Sequence, residues 1–234
     1  MLSGSASNPF CAVNPAPFQP GIHRDSGGTL WATPQGYTID PYTNLSKLEN
    51  ESIDVGLAYK ASLGRGGGLR ARLDGTYLDK LTITPGVGAA YNCSGFFGPS
   101  CSPGTPKWRH RMALDWDTPL NGFSAGATWR YFGPIDNTLL NPNNPDYVGP
   151  ATIAANGPPF DAHLGSVSYI DLRASYTWNK VTLRVGCNNV ADKNPPLFDT
   201  INSGGNQAYA ESNTFPGVYD TAGRYIYGNL TVDF

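Results

Sequence analysis

A strict apolar/polar alternation recurs along this chain. A two-residue period commits each such segment to a β-strand with unlike surroundings on its two faces. The last segment shows it most fully. Ile226, Gly228, Leu230, Val232 and Phe234 fall on one side, and Tyr225, Tyr227, Asn229, Thr231 and Asp233 on the other. Domain termini usually fray in polar sequence, whereas this one ends on an aromatic residue within an amphipathic strand.

Six earlier segments repeat the pattern: residues 52–63, 69–81, 108–116, 123–132, 169–178 and 181–189. In the first, Ile53, Val55, Leu57, Tyr59, Ala61 and Leu63 oppose Asp54, Gly56, Ala58 and Lys60. Composition agrees with an all-β chain. Its 234 residues include 28 Gly, 20 Pro and 13 Tyr, residues that punctuate turns or favour strands. Charged residues make up 15% of the chain, against roughly 25% in soluble domains. The net charge of -2 excludes a nucleic-acid footprint.

No stretch approaches the roughly 20 apolar residues of a transmembrane helix. The mean hydropathy of -0.31 is nevertheless compatible with membrane strands, which average lipid-facing and lumen-facing residues. The polar faces are repeatedly charged, at Asp54, Lys60, Arg70, Asp74, Arg109, Arg111, Arg130, Asp171, Arg173 and Arg184. Aromatics gather toward strand ends, as at Tyr77, Trp108, Trp116, Trp129 and Trp178. Connections alternate between short links (64–68, 118–122, 179–180) and long ones (82–107, 133–167, 190–223). Short turns on one side and long loops on the other, with an aromatic-flanked apolar exterior, are the layout of a transmembrane β-barrel. The expected fold is therefore an antiparallel transmembrane β-barrel segment of about seven strands. Residues 1–43 would form most of an extracellular loop, and Phe234 would lie on the periplasmic side. A soluble β-sandwich also alternates. A small outer-membrane barrel of another class, enzyme or adhesin, with a further strand within residues 8–43, is the other alternative.

Cys93 and Cys101 lie in the Gly/Pro-rich stretch YNCSGFFGPSCSPG, where a short loop favours a disulfide over two free thiols. Cys11 and Cys187 have no evident partners. The turn GRGGG lacks the Lys-Ser/Thr of a phosphate cradle, and His23, His110 and His163 lack ligand spacing. Residues 136–146 hold oxygen donors without the acidic density of a calcium loop. No nucleophile elbow or catalytic constellation appears, so neither enzyme activity nor a cofactor or metal is expected. Arg109, Arg111, Arg130, Arg173 and Arg184 either steer an anionic ligand or pair with Asp115, Asp171 and their neighbours. Loop aromatics Trp31, Tyr37, Tyr91, Phe96, Phe97 and Tyr147 are candidate ligand contacts.

The stretch Asn188-Asn189 followed by VADKNPP (Val190 to Pro196), then Tyr219-Asp220-Thr221-Ala222-Gly223-Arg224 and the terminal Phe234, resembles the C-terminal part of TonB-dependent outer-membrane receptors. Asn44 to Tyr59 is similar to a strand of that family with an acidic residue on the lumen face. VAD stands where the family usually has LFD. The resemblance covers about residues 40–234. It implies the C-terminal strands (44–234) of a 22-stranded type of barrel in the outer membrane, and uptake of a scarce nutrient such as a ferric siderophore, cobalamin or an oligosaccharide. It also implies that Tyr225, Tyr227, Leu230, Val232 and Phe234 form a signal read by the barrel assembly machinery. Outer-membrane lipid would be a partner. The TonB complex would be one only through a plug domain, and no plug-like sequence, TonB box or signal sequence is seen here. The chain is thus expected to be the C-terminal third of a receptor, inactive in transport by itself.

Overall fold

The computed structural model describes residues 22–23, 26–27, 34–35, 37–38, 46–86, 88–156, 161–198 and 214–233. The chain divides into two compact units, residues 1–45 and 46–234. In the first, β1 (Ile22–His23) pairs antiparallel with β2 (Tyr37–Thr38).

The second unit carries the remaining strands. They are β3 (Lys47–Ser62), β4 (Gly68–Thr84), β5 (Tyr91–Asn92), β6 (Phe96–Phe97), β7 (Trp108–Asp117), β8 (Phe123–Phe132), β9 (Ile135–Asn137), β10 (His163–Leu164), β11 (Val167–Trp178), β12 (Val181–Asn188) and β13 (Tyr225–Val232). Seven of them follow one another in chain order as an antiparallel meander, β3-β4-β7-β8-β11-β12-β13, with β5 added to β4. All seven alternating segments of the sequence are strands of this one sheet. It is not closed on itself, and it is not the pair of packed sheets that a sandwich needs. The one α-helix among the described residues is α1 (Gly149–Asn156). No helix among them is long and apolar enough to cross a membrane.

Register explains why alternation was so regular. Cα partners share a face, so the rows Val55–Gly75–His110–Tyr131–Ser168 and Leu57–Leu73–Met112–Trp129–Ile170 lie on one side. Leu172, Ala174 and Tyr176 continue that side into Cys187, Val185 and Leu183, then Ile226, Gly228 and Leu230. The apolar positions of seven strands thus merge into one continuous surface. It stays open: Leu57 is 61%, Trp178 66% and Ile226 73% exposed. The polar positions merge likewise on the opposite side.

Two strands run further than the alternation suggested. β3 begins at Lys47, and β4 continues to Thr84 beside it. Ser52 pairs with Leu78 and Glu51 with Lys80, so Asp79 is an extra, bulged residue. Beyond the bulge the apolar side turns ionic, with Lys47 bonded to Glu49 at 2.6 Å and Lys80 to Glu51 at 2.9 Å. Charges there replace the hydrophobic beat, which is why the sequence reading stopped at residue 52.

The buried core is not in the sheet but beneath the long connections. Phe97, Ile135, Leu164, Phe198, Phe215 and Tyr219 cluster against Val167 and Tyr169 of β11 and Phe132 of β8. Phe198 and Phe215 rings lie 4.4 Å apart, and Phe97 meets both. Each such side chain contributes about 1.5–3 kcal/mol by leaving water. Three connections therefore form a single packed roof over one end of the polar face. A small sheet of β6, β9 and β10 and the joined Cys93–Cys101 pair brace it. Phe97, a candidate ligand contact from sequence, is 1% exposed and serves this core. Tyr91 and Phe96 are half-buried. Trp31, Cys11, Phe234 and the side chain of Tyr37 lie outside the described residues.

Candidate functional site

The polar face beneath the roof combines charge, hollows and an anchored loop. Arg130 of β8 is its hub. Its Nε and Nη2 donate to Asp171 Oδ2 and Oδ1 at 2.8 and 2.9 Å, and Nη2 also donates to Asp220 Oδ2 at 2.9 Å. A planar fork suits such bidentate bonding. The guanidinium stands 5.0 Å from the centre of the Tyr169 ring. The Tyr169 hydroxyl accepts from the Asp220 backbone N–H at 3.3 Å, so Asp220 is tied to the wall through both main chain and side chain.

The two motif stretches meet at this place. Asp171 Oδ1 also accepts from the Asn189 N–H at 2.9 Å. Asn189 closes the turn after β12 by exchanging bonds with Lys193, each 2.9 Å long. Asp192 accepts from the Arg224 N–H at 2.8 Å and from its guanidinium at 3.4 Å. The tight turn at Asn189-Asp192 and the Asp220-to-Arg224 lead into β13 therefore form one network held by Asp171 and Arg130. Sequence reading flagged these residues as a motif, but missed that Asp220 is a ligand of Arg130. Ninety positions separate the pair, and no local pattern reports such a contact.

The five arginines behave differently. Arg173 bonds Asp115 and donates to Thr128 Oγ1 at 2.7 Å, crossing strand β8 at Gly126. A Cβ at Gly126 would come within 2.7 Å of Asp115 Oδ1 and 2.9 Å of Arg173 Nε, so a larger residue there must push the tips of this pair aside. Arg109, Arg111 and Arg184 make no ion pair among the described residues. Arg109 opens, with Asn50, Ser52, Thr76 and Phe132, onto a hollow of about 320 Å³ under Pro103–Pro106 and Gly217. Arg111 and Arg130 line a more open hollow of about 530 Å³ beneath Pro216–Ala222. Arg184 stands by Ser124, Ser175 and Tyr227 at the far end. Tyr225 and Tyr227 stack on the polar face with ring centres 6.2 Å apart. Leu230 and Val232 are on the apolar face, the side shared with Leu183 and Val181. No group of three or more metal-ligating residues exists among the described residues.

Roof packing has an acid–base consequence. The Tyr219 ring is 3% exposed, and its hydroxyl finds no partner among the described residues. Burial, aided by the nearby Tyr169 phenol, pushes its pKa from 10.0 up to about 12. An unfolded roof releases this proton near pH 10, whereas the packed one keeps it. The contribution of this phenol is thus fully present below pH 10 and is lost between pH 10 and about 12, about 2–3 kcal/mol in total. Tyrosinate absorbance should show Tyr219 among the last phenols to ionise, and Tyr219→Phe should diminish that late step.

No family model matches the chain, and no curated protein matches it. Among solved structures it is similar to three crystal structures of variants of the ferric enterobactin receptor PfeA from Pseudomonas aeruginosa. A double variant is 19% identical with a TM-score of 0.44, over 80% of this chain and 22% of the receptor. A single variant is 17% identical with a TM-score of 0.45, over the same shares. Another, in complex with enterobactin, is 21% identical with a TM-score of 0.47, over 79% of this chain and 22% of the receptor. The chain thus corresponds to little more than a fifth of the length of these receptors.

Proposed function

We propose that residues 44–234 form part of the wall and extracellular roof of a TonB-dependent type of outer-membrane receptor for a scarce nutrient such as a ferric siderophore, and that residues 1–43 belong to an extracellular loop. One observation carries this reading. Below the ionic row at Lys47–Glu51 and Lys80, the register gathers the apolar positions of seven strands on one open face and the charged positions on the other. Water does not tolerate so large an apolar face, whereas hydrocarbon requires it. On β3 the apolar side spans Ile53 to Ala61, about 26 Å of strand. At a barrel-type tilt that is about 20 Å of height, near the thickness of the apolar band. The ionic row at Lys47, Glu49, Glu51 and Lys80 then stands at headgroup level, on the side of the long loops.

Function follows from the other face. Arg109 and Arg111 beside the roofed hollows favour an anionic ligand entering from the loop side. Arg130 is already committed to Asp171 and Asp220, and Arg173 to Asp115, so these two hold structure. The side chains of β13, with Phe234, act as the assembly signal, and energy coupling to TonB requires a plug contributed by other sequence. Transport, not catalysis, is the role of such a wall.

Solubility and gel mobility test this reading. The chain should require detergent to stay monodisperse, and unheated samples should migrate differently from boiled ones. A monodisperse product in detergent-free buffer would overturn the membrane assignment. Arg109→Ala combined with Arg111→Ala should weaken binding of ferric catecholates about tenfold or more. Unchanged binding would remove these residues from the ligand path.

A further inference from the structure

Below its ionic end, the apolar face carries a polar cluster that transport does not use. Near the roofed end, His110 of β7 lies between Trp108, Trp129 and Tyr131. Its ring is stacked on Tyr131 at 5.2 Å and meets Trp129 edge-on at 4.4 Å. Register puts all four residues on the apolar side. The Trp108 indole lies over Gly75, where a Cβ would come within 2.6 Å of the ring. From there its Nε1–H donates to His110 Nδ1 at 2.9 Å.

That bond fixes the tautomer. An indole N–H can only donate, so Nδ1 is the acceptor and the single proton of the neutral ring sits on Nε2. The Nε2–H has no hydrogen-bond partner among the described residues. A donor left bare against hydrocarbon costs free energy, and aromatic side chains with one polar tip settle at the lipid–water boundary. His110 shares a row with Val55, one step inside the loop-side edge of the apolar side at Ile53, and the first lipid oxygens met at that edge are the ester carbonyls of the acyl chains. The ionic residues Lys80 and Glu51 lie further along the neighbouring strands, where headgroups would follow.

We propose that His110, oriented by Trp108, is a lipid-binding site that takes an acyl-ester carbonyl of one outer-leaflet lipid on its Nε2–H, with Trp129 and Tyr131 flanking the chain. The proposal rests on the membrane reading above. It predicts selectivity for a chemical linkage rather than for a headgroup.

The test offers the detergent-solubilised full chain equal amounts of diester phosphatidylglycerol and its diether analogue, which lacks both carbonyls, and counts retained lipid by native mass spectrometry. The unaltered chain should retain the ester form about three- to tenfold over the ether form, the worth of one neutral hydrogen bond. His110→Phe keeps the apolar surface and should bring the ratio to one. Trp108→Phe frees the tautomer and should lower the ratio without abolishing it. Equal retention by the unaltered chain, or an undiminished ratio in His110→Phe, overturns the site. Quenching of tryptophan fluorescence by bromine-labelled acyl chains separates the two levels. Quenching without ester preference sinks the His110 site alone, and absence of quenching sinks the membrane reading and the site with it.

Discussion

Arg130→Ala is expected to release the last long connection from the wall and to destabilise the roofed end by about 2–3 kcal/mol, the usual cost of losing hydrogen bonds between charged groups in a half-buried cluster. Arg130 is 27% exposed at its side chain, and Asp171 and Asp220 are 16% exposed, so two half-buried carboxylates would remain facing each other without their shared cation at the edge of the open hollow. Asp220 would keep only its backbone bond to Tyr169, and the Asn189 turn would hang on an Asp171 carboxylate no longer held in place. Hydrogen exchange over residues 214–224 should rise steeply, while exchange in β3 and β4 should stay unchanged. Arg130→Lys should rescue little, because an ammonium cannot span both oxygens of Asp171 and reach Asp220 as well. Unaltered exchange over 214–224 would show that aromatic packing alone holds the loop.

Leu114→Arg and Ala113→Glu, one residue apart on β7, should differ by about 2–4 kcal/mol in the stability of the bilayer-inserted protein. Leu114 is on the apolar side, in the row Tyr59–Ala71–Leu114–Ala127–Leu172, well below the ionic row. An arginine there must enter hydrocarbon or drag water with it. Ala113 is on the polar side between Arg72 and Thr128, where a glutamate gains a cationic neighbour. In water the order would change: Leu114 is already 39% exposed, and exposed substitutions cost at most about 0.5 kcal/mol. Denaturant titration of both variants in lipid vesicles reads the difference. Equal stabilities would mean that this face does not meet lipid.

Both results depend on features that differ in how openly the sequence displays them. Strands were legible because a long sheet with unlike faces writes a two-residue beat into each strand, so 108–117 and 123–132 are found almost to the residue. The first strand was cut short at Lys47–Glu51, since an ionic ending erases the beat without ending the ladder. The roof was hardly legible. β6, β9 and β10 are two or three residues long and hold no period, and Phe97 looked like a loop aromatic until Phe198 and Phe215 closed over it. Cys93 and Cys101 were readable because eight positions separate them. Pairing of the wall charges was foreseen in kind at Asp115 and Asp171. The partner contributed by Asp220 came from a distant loop, as long-range contacts must.

The meander also imposes a rule of parity. β3 and β13, the two outermost strands of the seven, run in the same direction because five antiparallel neighbours separate them. Two copies of this sheet set side by side in one membrane would therefore meet along a parallel seam, out of step with every ladder within the sheet itself. An all-antiparallel ring that contains this sheet must interpose an odd number of further strands between β13 and β3, whatever its final circumference.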